Sequence, residues 1–199
     1  MLSKRFSLRS AGAFALVWAL AGISSQPAQS MTLIRAGLDD LVAGNSSIVV
    51  ATVENVSSYW NADASFLLTD VSLSTTQVLK GDLGGEITLT LMGGTDGVVT
   101  TLVPGTAVLL PGQSYLLFLR DDSLPGTPPV LTVAEHCQGA FDIETRDGGE
   151  WATSQAAGEA LVPGEDDADA ADVPGGAEGM SLSSLVDEIA ALVKRGSGR

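Results

Sequence analysis

Glu86-Ile87-Thr88-Leu89-Thr90-Leu91 alternates polar and apolar residues without a break. Alternation at a period of two places Ile87, Leu89 and Leu91 on one face of a strand and the threonines on the other. Upstream, Ile48-Val49-Val50-Ala51-Thr52-Val53 is a β-branched run. A long second strand follows, reading Val71, Leu73 and Leu79 on one face and Asp70, Ser72 and Ser74 on the other. Downstream, Tyr115 to Leu119 is apolar at every position, the pattern of a strand covered on both faces. Val130 to Ala134 and Ala140 to Ile143 supply two shorter strands. Turn chemistry separates them at Asn61-Ala62-Asp63, Gly84-Gly85, Gly93-Gly94, Pro111-Gly112, Pro125-Gly126 and Asp147-Gly148-Gly149. Helical periodicity is absent from this stretch, and the class predicted is all-β.

The flanks carry different signals. Leu38 to Val42 predicts a short N-terminal helical turn, stopped by Gly44-Asn45. Residues 154–180 are rich in Ala, Gly, Asp, Glu and Pro and contain no aromatic residue, the composition of a disordered acidic linker. Ser181 then reads as an N-cap, with Leu182, Leu185, Val186, Ile189, Leu192 and Val193 recurring at helical spacing. Lys194 and Arg195 complement the C-terminal end of this helix and Gly196 stops it. A helix this short is marginal alone, so its apolar face requires a partner surface, in the same chain or in another.

The amino-terminal region is laid out as a secretory signal. Lys4, Arg5 and Arg9 precede an uncharged apolar run from Ala11 to Ile23, and Ala28-Gln29-Ser30 offers small residues for cleavage after Ser30. Thirteen apolar residues are too few to span a bilayer, which takes about 20. The expected division is a signal peptide over 1–30, a β-domain over 31–153, the linker over 154–180 and an amphipathic helix over 181–195, with an extracytoplasmic (secreted or periplasmic) destination. Without Lys4, Arg5 and Arg9, seven of the ten basic residues face 24 acids, a formal net charge of −17. Such a chain repels phosphate backbones and anionic lipid, which argues against nucleic-acid and membrane-surface partners. Cys137 is the only cysteine, so no intramolecular disulfide can form.

Val78-Leu79-Lys80-Gly81, then Pro111-Gly112-Gln113-Ser114-Tyr115-Leu116-Leu117-Phe118-Leu119, then Leu131-Thr132-Val133 and Cys137-Gln138-Gly139 form a succession. It resembles netrin-like modules, the domain of netrins, complement C-terminal modules and tissue inhibitors of metalloproteinases, and most nearly a group of secreted bacterial proteins. The resemblance covers Leu41 to Ile143 and implies a small antiparallel barrel of the oligonucleotide/oligosaccharide-binding type. The metalloproteinase inhibitors chelate zinc through an N-terminal cysteine, whereas here Met31 would begin the mature chain. Gly93-Gly94-Thr95 stands where the family has Cys-Gly, and only Cys137 falls at a family cysteine position. No functional residue carries over.

The sequence carries no recognisable catalytic, cofactor-binding or metal-binding set. His136 is the only histidine, and beside Cys137 in an extended chain it would point to the opposite face. The two supply fewer soft ligands than a structural zinc site requires. Asp167, Asp169 and Glu178 occupy first, third and twelfth positions of a calcium-loop register, but Ala171, Asp172 and Pro174 break it. The function expected is a non-catalytic binding or accessory module acting on another extracytoplasmic protein. The alternatives are a protease-inhibitor-like module or a hydrolase with an unrecognised acidic site.

Overall fold

The computed structural model describes residues 33–159, 161–162 and 178–196. The signal peptide read over 1–30, the middle of the acidic linker and most of the calcium-loop register lie outside the described residues.

The chain forms β1 (Leu33–Ile34), helix α1 (Leu38–Gly44), two 14-residue strands, β2 (Ser47–Trp60) and β3 (Leu67–Lys80), then β4 (Glu86–Met92). A small hairpin of β5 (Gly94–Thr95) and β6 (Thr100–Thr101) precedes β7 (Ser114–Ser123) and β8 (Pro129–Val133). After a 3₁₀ turn at His136–Gly139 come β9 (Ala140–Arg146), β10 (Gly149–Ser154), β11 (Leu161–Val162), β12 (Met180–Ser181) and helix α2 (Leu182–Gly196). Eight strands make one antiparallel sheet in the order β12-β10-β9-β7-β2-β3-β4, with β8 also paired to β7. β1 and β11 form a separate parallel pair.

β2 and β7 lie at the centre, paired from Ser47↔Leu119 to Thr52↔Ser114. Their side chains alternate between two cores. Ile48, Val50, Leu116 and Phe118 face one side, joined by Phe141 and Ile143 of β9 and covered by Leu38, Leu41 and Val42 of α1 with Leu182, Leu185 and Ile189 of α2. Val49, Ala51, Val53, Tyr115, Leu117 and Leu119 face the other, against Val71, Leu73, Leu89 and Leu91. The unbroken apolar run of β7 follows from this double burial.

Three register shifts along the β2–β3 ladder bend these long strands. They also move Leu79: the sequence puts it on the face of Val71 and Leu73, but past the bulges it packs against the helix-side core. An extra residue reverses the face of everything beyond it.

Two expectations are corrected. The fold is not an all-β OB-like barrel, because two helices close one face of the sheet. Nor is the sheet closed. β4 approaches β8, but among the described residues no hydrogen-bonded ladder joins them. The edge of β7 that could extend closure serves β9 over Ser114–Leu117 and β8 over Leu119–Ser123, and β9 recruits β10, which pairs with β12. Ala107 and Leu109 from the irregular segment after β6 fill the core on the open side.

Lys80 and Gly81, which read in the sequence as a strand exit, tie β3 to α1. The Lys80 ammonium donates to the carbonyls of Val42 and Asn45, each at 2.6 Å, and the Asn45 amide donates to Leu41 O at 2.7 Å. Carbonyls at a helix C-terminus lack internal partners and favour a cation. Gly81 has φ +79°, and a Cβ there would lie 2.9 Å from Ser46 O, so the close strand crossing requires glycine.

The C-terminal helix docks within its own chain. The Ser181 hydroxyl accepts from Ser184 N–H at 3.2 Å, capping the helix, and Leu185 and Ile189 are fully buried. Residues at both ends of the span read as linker are structured: Gln155 N–H donates to Ala140 O at 3.0 Å, and Met180 pairs with Ala152.

Leu185→Ala is expected to destabilise the protein by about 2–5 kcal/mol, the cost of a cavity in a closed core. Lys80→Met should cost about 1–3 kcal/mol through the unsatisfied carbonyls. Urea denaturation followed by circular dichroism measures both.

Candidate functional site

The adjacent His136 and Cys137 do not sit in an extended chain. Glu135 and His136 both take left-handed backbone, φ 46° and 59°, and the chain turns through a single 3₁₀ turn. The Cys137 N–H donates to Gly105 O at 2.7 Å, and the thiol is buried with Leu33 and Ala156. The Gln138 amide donates to Ile34 O at 2.9 Å and accepts Ala36 N–H at 2.8 Å, so it holds the N-terminal segment as a strand would. Gly139 passes so close to Ala134 that a Cβ would lie 2.4 Å from its carbonyl oxygen. The Cys137-Gln138-Gly139 motif is therefore a structural clasp. Burial, with a further contribution from the nearby Glu159 carboxylate, holds the Cys137 thiol above its ordinary pKa, so it remains protonated at neutral pH.

His136 is exposed and borders a different cavity from Cys137, a space of about 170 Å³ between β4 and β8. Its rim carries Arg120, which pairs with Glu135 at 2.7 Å and Asp122 at 3.3 Å. These are surface ion pairs of small energetic weight. Among the described residues no group of three or more His, Cys, Asp or Glu side chains could hold a metal ion.

A larger groove, about 750 Å³, opens between the segment after β6 and the β9–β10 hairpin. Val108 and Leu110 line it together with Asp142, Glu144 and Glu159. Gln155 spans it, exchanging hydrogen bonds with Val108 and donating to the Asp142 carboxylate at 2.7 Å. At its floor lie Tyr115 and Ser154. Burial raises the Tyr115 phenol above its usual pKa.

The third feature is the β5–β6 hairpin. One Asp96 oxygen accepts the N–H groups of Val98 at 2.8 Å and Val99 at 2.7 Å, and the other accepts the Trp60 indole N–H at 2.9 Å. Those donors, Val99 N–H first and then the indole and Val98 N–H, lower the Asp96 pKa below the ordinary aspartate value. The turn so fixed holds Val98 92% exposed, with Leu102 beyond β6 85% exposed. Val99 and Trp60 are also exposed.

No family model, curated protein or solved structure matches this chain. The resemblance to netrin-like modules is accordingly not supported, and the open sheet removes its structural basis. The protease-inhibitor alternative drew on that resemblance and loses that support.

Sequence reasoning singled out His136 and Cys137 and missed both the hairpin and the groove. Thr95-Asp96-Gly97 followed by Val98 and Val99 is a legible turn, but only the surrounding structure shows that its apolar residues remain uncovered. The groove is assembled from five separate stretches of chain.

Two outcomes follow. Cys137 should resist iodoacetamide at pH 8 in the folded protein and react fully in urea, as mass spectrometry would show. The Asp96 interactions hold above the ordinary aspartate pKa and are lost as pH falls through the lower, folded value. Trp60 fluorescence should therefore titrate with a midpoint below that of a free aspartate, and Asp96→Ala should abolish the transition.

Proposed function

We propose that the chain is exported and acts as a non-catalytic binding or accessory module for another extracytoplasmic protein. The observation that carries this reading is the β5–β6 hairpin. A turn fixed by three hydrogen bonds to one carboxylate presents Val98, Val99 and Leu102 to solvent beside Trp60. Exposed apolar side chains on a preorganised element favour association, since little conformational entropy remains to be lost. The signal-like N-terminus supports export, and no helix among the described residues is long and apolar enough to cross a membrane. The strong negative charge makes assembly with further copies unfavourable and favours a partner of opposite sign.

The test is affinity capture of extracytoplasmic proteins on the chain from Met31 onward, beside its Val98→Ser/Leu102→Ser variant. Surface changes of this kind should alter stability by no more than about 0.5 kcal/mol each. A stoichiometric partner reduced about tenfold or more by the variant is the expected result. Equal capture by both proteins would remove the hairpin from the interface. Turnover in a broad hydrolase panel would overturn the non-catalytic reading.

A further inference from the structure

We propose that the groove between the segment after β6 and the β9–β10 hairpin binds an extended basic peptide. The inference extends the binding-module reading and shares no residue with the hairpin interface. Three properties of the groove converge on this ligand. Its volume, about 750 Å³, lies within the range of sites that enclose small ligands or a short peptide. A neighbouring space lined by Gln113, Ser114, Ile143 and Glu144 also reaches Glu150, so the depression continues along β9 beyond its pairing with the first residue of β7. That shape suits an extended chain.

The second property is charge. Asp142, Glu144 and Glu159 line the groove and Glu150 its continuation. Of these only Glu144 has an ion-pair partner among the described residues, Arg146 at 2.9 Å. The same lining includes Val108, 62% exposed, and Leu110, 55% exposed. Lysine and arginine side chains combine an apolar stem with a charged head, which matches a lining that mixes apolar and acidic side chains. A neutral polyol would gain no net charge attraction from the carboxylates, and an acidic peptide or phosphorylated ligand would be repelled.

The third property is a pair of buried hydroxyls. Tyr115 is 3% exposed and Ser154 2%. Each accepts a backbone N–H, from Leu110 at 2.9 Å and from Ala156 at 3.2 Å. Neither hydroxyl donates to an acceptor among the described residues, so each keeps a proton to offer. Both line the groove, where peptide carbonyls would supply the acceptors.

Calorimetry on the chain from Met31 onward, which contains every described element, tests the proposal. The probe is the blocked pentapeptide Ala-Arg-Val-Lys-Ala, beside versions carrying Gln or Glu at both basic positions. The basic peptide is expected to bind, more weakly as salt rises, and the other two are not. Glu159→Gln and Asp142→Asn should each weaken binding about threefold and together about tenfold. Asp187→Asn/Glu188→Gln, which removes the same charge from the exposed face of α2, should leave it unchanged. Equal weakening by the α2 pair would assign the attraction to the general field of the protein and overturn the site. So would equal affinity for the Gln peptide, or no binding of the basic one. None of these results depends on Val98 or Leu102, so the groove can fail while the hairpin reading stands.

Discussion

The structure depends on the ladder between β2 and β7. Its strands are apolar on both faces, so a cover is needed on each side before the pair can leave water. Curling of the sheet, with Ala107 and Leu109 from the irregular segment, covers one side. The other is covered by helices from opposite ends of the chain, α1 and α2, whose buried leucines and isoleucine meet Ile48, Val50, Leu116 and Phe118. Fully burying one such aliphatic side chain contributes about 1.5–3 kcal/mol, so two helices supplying six buried positions are a large part of the stability of a domain without a disulfide.

That requirement assigns roles to the smaller features. Lys80 satisfies the C-terminal carbonyls of α1 and Gly81 allows β3 to leave beside Ser46. Gln138 binds the segment that leads into α1, and the 3₁₀ turn holding it buries Cys137. The residues that looked most chemical in the sequence thus divide between a structural clasp and an exposed rim. The surfaces proposed for recognition are the β5–β6 hairpin and the groove beside β9.

Local pattern made several elements legible. The alternation at Glu86–Leu91, the double burial of Tyr115–Leu119 and the capped periodicity after Ser181 correspond to β4, β7 and α2. Closure of the sheet was not legible, because it depends on which strand edges pair across long separations. β9 and β10 continue the hydrogen bonding outward from β7, and nothing in the composition of either strand records that choice. Leu79 shows the same limit on a smaller scale: period two fails past a bulge that the sequence does not announce. The groove was beyond reach because it joins residues from Gly105 to Glu159, and the helix partner because an amphipathic face does not name what covers it.

Helix α2 is a structural cover for the β2–β7 ladder. Hydrogen exchange on the chain from Met31 onward, compared with the same chain ending at Ser181, tests it most directly. Removing α2 should strip protection from amides across Ile48–Val50 and Leu116–Phe118, whose side chains Ile48, Val50, Leu116 and Phe118 pack with the helix. Undiminished protection there would contradict it and return α2 to the role of a free recognition element.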